Sequence, residues 1–342
     1  MRCTIVPPYL LLRIAETDEP RLADAAAAAR RALVHDIPFR TFRGVAPEQP
    51  SPPSAPGLQR TICTADHTET LPGRVVRAEG DAPTGDPATD EAYDGFGRTY
   101  DFFQAIYSRA SIDDNDLPLD GTVHYGDAYD NAFWDGRQMV FGDGDGQVFT
   151  RFTSSLSVIG HELVHGMTQY TTNLIYQGQS GALNESVSDV FGALVEQYAA
   201  NQTADAASWL IGEGLFTDLV QGSAIRSLKA PGTAYDDDVL GKDPQPDHMS
   251  SYIVTEDDNG GVHLNSGIPN RAFYLVASAL GGFAWERAGR IWYETVTTHS
   301  LPADADFARF ARATGDAAVA LYGAESEEHH AVTQAWHGVG LG

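Results

Sequence analysis

Lysine is almost missing from this 342-residue chain: Lys229 and Lys242 are the only two, and arginine supplies every other strong base. Positive charge is scarce altogether, with 22 Lys and Arg against 47 Asp and Glu, for a net charge of -25. So acidic a surface repels nucleic acid and anionic lipid, and neither is expected as a partner. Cysteine is nearly absent too. Cys3 and Cys63 are too few for a disulfide framework or a Cys-rich zinc site. No long apolar run exists. The longest, FYLVASALGGFAW at 273–285, falls well short of the ~20 residues that a membrane span needs. The N-terminus, MRCTIVPPYLLLRIAE, breaks its apolar stretch with Pro7 and Pro8 and offers no small-residue cleavage site. No classical signal peptide is read there, so the expectation is cytoplasmic synthesis with non-classical release.

What is present reads as globular, with 42% hydrophobic and 10% aromatic residues in a chain long enough for about two domains. Residues 1–45 form a small unit: PPYLLL is expected to be extended and an Ala-rich helix is expected around 20–35. APEQPSPPSAPG at 46–57 has five prolines in twelve residues and reads as an exposed linker. The charge shifts here. Residues 1–57 carry seven Arg and six acids, so nearly all the negative charge lies in the remainder. A near-neutral head on an acidic body suggests a separable piece that docks onto that body. From 58 to about 153 the text is Gly- and Asp-rich, with a strand and turn expected at 137–146 (RQMVFGDGDG) and a helix at 97–110 (GRTYDFFQAIYSRA). From 154 onward the pattern is helical. The expected architecture is α+β, with a head and linker at 1–55, a β-rich lobe at 56–160 and a helical lobe at 161–342.

Residues 161–166 read HELVHG. An HExxH string arises by accident in roughly 1% of chains this long, so five residues alone decide nothing. On a helix over 154–170, Leu156, Ile159, Leu163, Met167 and Tyr170 form one apolar stripe. His161 and His165 lie opposite, one turn apart, where both imidazoles can face one ion. Glu162 sits about 100° round the helix from His161, suited to a water beside the ion rather than to the ion itself. A catalytic zinc wants a third protein ligand and an open position. A helix over 181–200 (GALNESVSDVFGALVEQYAA) offers Glu185, Asp189 and Glu196 as a carboxylate stripe. Glu185 would complete a His-His-Glu set, and Asp189 could take the other N–H of His161 and fix its tautomer. The competing readings are two solvated histidines and an ordinary wet helix face.

HELVHG, then LIYQGQSGALNESVSD, then DNGGVHLNSG resemble the thermolysin family of zinc endopeptidases, and the short head is similar to that of the protealysin-type subgroup. The resemblance covers nearly all of 58–342 and includes the family's 24-residue separation of His161 from Glu185. It implies a two-lobed fold with the HExxH helix between the lobes, and one catalytic zinc. A water activated by the metal would attack the peptide carbonyl, with Glu162 as general base. It assigns Tyr176 and His263 as oxyanion donors and Asp258 as the acid that orients His263. Asn131 and Ala132 would hold substrate backbone, and Arg226 would bond a peptide carbonyl on the primed side. Phe149, Phe152, Val158, Leu215 and Ile225 fall at positions lining the S1′ pocket, which implies cleavage on the amino side of Leu, Phe, Ile or Val. Glu196 and Glu213 remain from the family's double calcium site, but Ser157, Ser208 and Leu210 stand at three other acidic positions. A doubly occupied calcium site is therefore not expected.

CTIVPPYLLL resembles the Pro-Pro motif of protealysin-like propeptides. Cys3, Pro7, Pro8 and Tyr9 are the expected inhibitory residues, with Pro7-Pro8 as a rigid extended stretch in the cleft and the Cys3 thiolate as an occupant of the open zinc position. Expected partners are peptide substrates and the chain's own head, on a monomer. A binding protein built on a dead protease scaffold would lack Glu162 or an oxyanion donor, whereas Glu162, Tyr176 and His263 are all present.

Overall fold

The computed structural model describes residues 3–41, 56–298 and 301–342. Most of the Pro-rich linker at 46–57 lies outside the described residues.

Five strands of the body and one of the head make a mixed six-stranded sheet. They are β1 (Cys3–Thr4), β2 (Arg60–Thr64), β3 (Arg74–Ala78), β4 (Leu119–Val123), β5 (Ala132–Trp134) and β6 (Met139–Phe141), in the order β1-β5-β6-β4-β2-β3. β2, β4 and β6 run parallel, and the remaining pairs are antiparallel. β1 is the edge strand, so the head completes the sheet of the body: Cys3 pairs with Trp134 and Thr4 with Phe133.

The head continues as α1 (Pro8–Ala15) and α2 (Ala23–Thr41). The extended PPYLLL expectation is corrected here. Pro7 caps the helix with extended backbone (φ -64°, ψ 145°) and Pro8 takes the first helical position. A missing N–H costs nothing there, because the first turn has no intrahelical acceptor for it. Leu10, Leu11, Ile14 and Ala15 then bury one face of α1.

α3 (Pro87–Tyr107) begins ten residues before the expected start at 97 and packs across the sheet. Asp86 accepts from Thr89 N at 2.8 Å and Pro87 opens the helix, a start signal that the glycines at 95 and 97 obscured. Those glycines mark close approaches. A Cβ on Gly95 would sit 2.4 Å from Ile159 Cδ1. The strand and turn expected at 137–146 are there: β6 covers Met139–Phe141, and GDGDG then turns away with positive φ at Gly144 and Gly146.

Two long helices lie at the centre: α4 (Leu156–Tyr170) and α5 (Gly178–Ala199). Residues 157–168 of α4 are all buried, so its polar face is as covered as its apolar stripe. A surface helix would leave that face wet; this one lies between the two lobes. α4 and α5 meet at two glycines, where a Cβ on Gly160 would fall 3.1 Å from Gly192 Cα and one on Gly192 2.5 Å from Ser157 O. β7 (Leu210–Ile211) and β8 (Arg226–Ser227) form a small ribbon beside α5. A second ribbon pairs β9 (Asp236–Asp237) with β10 (Gly241–Lys242), and the helices that follow are α6 (Asp257–Asn265), α7 (Gly267–Leu280), α8 (Ala288–Thr297), α9 (Phe307–Tyr322) and α10 (Glu327–Gly338).

Candidate active site

α4 and α5 bring His161, His165 and Glu185 to one point, and none is more than 3% exposed. The two Nε2 atoms are 3.0 Å apart. Glu185 Oε2 lies 3.5 Å from His161 Nε2, and Glu185 Oε1 lies 3.4 Å from His165 Nε2. Donors bound to one zinc at bonds of 2.0–2.1 Å in a tetrahedron stand about 3.3 Å from one another. These separations fit that edge length.

The outer nitrogens settle the tautomers. His165 Nδ1 is 2.8 Å from Asn184 Oδ1 and 3.1 Å from Ser188 Oγ. An amide oxygen only accepts, so Nδ1 carries the proton and the Nε2 lone pair faces inward. Burial pushes the pKa of His165 down to about 3, so the ring is neutral. His161 Nδ1 lies 2.8 Å from Asp189 Oδ1, which likewise turns its Nε2 inward. Two lone pairs and a carboxylate converging in a dry site repel one another unless a cation lies among them. Glu185 Oε2 has no hydrogen-bond partner. The donor set therefore fits a divalent zinc.

Glu162 stands beside this set. Trp134 N donates to its Oε2 at 2.9 Å, while Oε1 is buried with no partner. Burial and then Glu185 raise its carboxyl well above the ordinary range. Tyr176 donates to Glu185 Oε1, and its hydroxyl lies 3.3 Å from His263 Nε2. His263 lies in the last turn of α6, within DNGG-VHLNS, where Asp258, Asn259, Gly260 and Gly261 all take positive φ. Asp, Asn and Gly tolerate that region best, and the tight turn folds Asp258 back onto His263. Asp258 accepts from His263 N at 2.8 Å and from Nδ1 at 2.6 Å. Against the opposing effect of burial, Asp258 and Glu185 raise the pKa of His263 to about 9.

Residues 3–6 of the head run through this site as an extended peptide. His263 Nε2 donates to Thr4 O at 2.8 Å. Ile5 N donates to Ala132 O at 3.0 Å, and Arg226 Nη1 donates to Ile5 O at 2.8 Å. Val6 N donates to Asn131 Oδ1 at 2.9 Å. Cys3 Sγ lies within 4.8 Å of ligand atoms from His165 and Glu185. The extended part thus ends at Pro7, which caps α1, and the expected rigid Pro-Pro strand is corrected to the four residues before it. Tyr9, in α1, is partly buried against the core.

Asp189 does two jobs. Besides facing His161, it accepts from Arg226 Nε at 2.9 Å and Nη2 at 2.8 Å, and from Asn270 Nδ2 at 2.8 Å. Burial opposes its charge, but Arg226 and His161 overcome that and lower its pKa. The five apolar positions assigned to S1′ are all buried to 1% or less. Phe149 and Phe152 have ring centroids 5.5 Å apart, and Leu215 and Ile225 flank Gly212. Ser157 receives Gly212 N at 3.2 Å, close to Glu196.

Sequence reasoning missed the roles of Asn184 and Ser188 at His165, of Trp134 at Glu162, and of Asp36. Asp36 is a fully buried residue of the head that accepts from Tyr129 Oη at 2.7 Å and Asn131 Nδ2 at 3.2 Å. A polar Asn and Ser flanking Glu185 were a usable signal; nothing local marks Asp36.

Comparison with known proteins places this geometry. A family model described as the thermolysin metallopeptidase catalytic domain matches residues 60–169, and the thermolysin metallopeptidase alpha-helical domain matches 172–341. An extracellular metalloprotease of Pectobacterium carotovorum subsp. carotovorum is 52% identical over 99% of this chain and 96% of its own length. A thermolysin of Alicyclobacillus acidocaldarius subsp. acidocaldarius is 41% identical over 79% of this chain and 49% of its own. The solved precursor of protealysin, a metalloproteinase from Serratia proteamaculans, superposes with a TM-score of 0.89 at 52% identity, covering 99% of this chain and all of that one.

Proposed function

The chain belongs to the thermolysin family and is a zinc metalloendopeptidase; we propose that it is self-inhibited by residues 1–55 and, once freed of them, cuts on the amino side of bulky apolar residues. The observation that carries this reading is the head's substrate-like course: residues 3–6 run antiparallel beside β5 as an added edge, with the Thr4 carbonyl on His263 and the Ile5 carbonyl on Arg226. Residues 56–160 then act as the β-rich lobe and 161–342 as the helical lobe.

His161, His165 and Glu185 would hold the zinc, which when bound supplies a Lewis acid for the carbonyl and acidifies a water. Glu162 is the base. Its raised carboxyl and free Oε1 suit it to take a proton from the attacking water and return it to the departing nitrogen. As the carbonyl oxygen gains negative charge, His263 Nε2–H and the Tyr176 hydroxyl donate to it. Asp258 keeps His263 oriented and protonated for that task. Asn131 and Ala132 bind the backbone of a peptide as they bind Val6 and Ile5, and Arg226 takes a primed-side carbonyl. Phe149, Phe152, Val158, Leu215 and Ile225 give the S1′ pocket its apolar preference. With Ser157, Ser208 and Leu210 in place of acids, Glu196 and Glu213 do not make a double calcium site. On this reading the enzyme works as a monomer, made in the cytoplasm and then released, which its similarity to an extracellular metalloprotease supports.

Hydrolysis of a quenched peptide containing Gly-Leu, before and after removal of residues 1–55, tests the reading. Activity should appear on removal, vanish with phenanthroline and fall about a thousand-fold in Glu162→Ala. A folded, zinc-loaded body with no turnover, or a peptide library favouring charged P1′ residues, would refute it.

Cys3 has a separate part in the inhibition: its sulfur lies with the ligand atoms of His165 and Glu185 and can cap the metal. Cys3→Ala should shorten the lag before self-cleavage, followed on a gel. Unchanged kinetics would reject the cap.

A further inference from the structure

Away from the cleft, His67, His124, Asp143 and Asp86 gather at one end of the sheet. His67 lies in the connection between β2 and β3, His124 directly follows β4, Asp143 is two residues past β6, and Asp86 caps α3. Four separate elements therefore converge. Main-chain bonds lock their approach: His67 N donates to His124 O at 2.9 Å, Gly126 N to Thr68 O at 2.9 Å, and Tyr125 N to Phe141 O at 3.1 Å.

The side chains are arranged around a common point. His124 Nδ1 is 2.9 Å from Asp143 Oδ2, and His67 Nδ1 is 3.5 Å from the same oxygen. The ring centroids of His67 and His124 are 5.3 Å apart. One ligand atom from each of the three residues lies within 4.8 Å of the other two. The remaining nitrogen of His124, Nε2, is 3.1 Å from Asp86 Oδ2.

We propose that His67, His124 and Asp143 form a second metal site, for a borderline divalent cation such as zinc, with Asp86 holding the outer N–H of His124. Imidazole and carboxylate together suit zinc, copper or nickel, whereas calcium and magnesium ask for oxygen donors throughout. A carboxylate on the far nitrogen of a ligating histidine is the usual device for fixing its tautomer. Here it leaves Nδ1 of His124 for the ion, on the side where Asp143 and His67 already point. His67 is 64% exposed, so an ion can enter and water can complete its coordination.

Such an ion fastens the β2–β3 connection, the ends of β4 and β6 and the start of α3 together. The same loops support the head: Arg31 Nη2 is 3.6 Å from Asp127 Oδ2, and His35 Nε2 is 4.0 Å from Glu69 Oε2. The site is a clip at the sheet end on which α2 rests, independent of how the cleft is read.

The test uses the full chain with Glu162→Ala, kept uncut and with its cleft already loaded with zinc. Calorimetric titration with further zinc should show one more equivalent. His67→Asn, which keeps a residue tolerant of positive φ at this turn, and Asp143→Asn should each weaken that uptake at least about ten-fold. Copper added in place of zinc should give a resonance spectrum with two nitrogen ligands, one of them lost in His67→Asn. No further uptake by the unaltered site, or equal uptake with and without His67, overturns the proposal.

Discussion

Asp189 shows how much one buried carboxylate can organise. It is fully buried, faces Nδ1 of His161, takes two bonds from Arg226 and receives the amide of Asn270. The imidazole is thereby turned toward the metal position and the guanidinium is turned toward Ile5 O. On the proposed reading, metal retention and substrate backbone recognition share a residue that reaches neither zinc nor peptide. Asp189→Asn should weaken zinc binding about ten- to a hundred-fold, read by competition with a chromogenic chelator. Unaltered zinc affinity would mean that His161 is oriented by packing alone. HExxH spacing made His161, His165 and Glu162 legible, since a period of 3.6 puts ligands four apart on one face. Asp36 was not legible, because its partners Tyr129 and Asn131 are more than ninety residues away and only the docked head brings them close.

At the scale of elements, the α+β two-lobed class follows from the sequence, while the bounds of individual helices depend on contacts. Long helices with regular apolar spacing, α4 and α5, are legible in the sequence, and both carry residues proposed to hold zinc. Pro-Pro suggests extension at α1, yet Pro at a first helical position does not prevent a helix. α3 begins before its glycines suggest, because they serve contacts with Ile159 and Arg60 that no local pattern reveals. α3 is also fixed to the sheet through charge. Arg60 makes a two-pronged contact with Glu79 (2.7 Å and 2.7 Å) and lies 3.6 Å over the ring of Tyr93 in α3. The Arg60 hydrogen bonds hold the pKa of Glu79 below its ordinary 4.5. A lowered carboxyl contributes stability above its unfolded value and loses it as pH falls through the folded one. Glu79→Gln should therefore destabilise the protein by about 1 kcal/mol near pH 7, a figure discounted for its partial exposure. Urea midpoints compared at pH 7 and pH 4 should show the gap shrinking at the lower pH. A gap that is constant or widens on acidification would remove the ion pair from the account.

For the whole molecule, the near-neutral head lies on an acidic body, and some of its cations meet acids. Arg31 faces Asp127, and Arg13 shares a surface depression with Asp236, Asp237, Asp238 and Lys242. These contacts are largely exposed and screened by salt, whereas β1 on β5 and the buried faces of α1 and α2 are not. After the linker is cut, raising sodium chloride should weaken inhibition by the retained head only modestly, by about three- to ten-fold, measured as an apparent inhibition constant. A far larger loss would make charge the main bond between head and body. Among the described residues no helix is long and apolar enough to cross a membrane.

The sequence by itself determined the chemistry: a histidine pair at helical spacing, a carboxylate 24 residues on, and motif strings long enough to identify the family. It also marked a head distinct in charge and joined through prolines, because composition is a local property. Tertiary structure alone decided that Cys3–Thr4 becomes the edge strand of the body's sheet, that Asp36 reaches Asn131, and that four loops bring His67, His124, Asp143 and Asp86 together. Each depends on contacts between residues far apart in the chain. Periodicity and capping report only on neighbours, so such contacts exist only once the sheet has closed and α4 has been buried between the lobes.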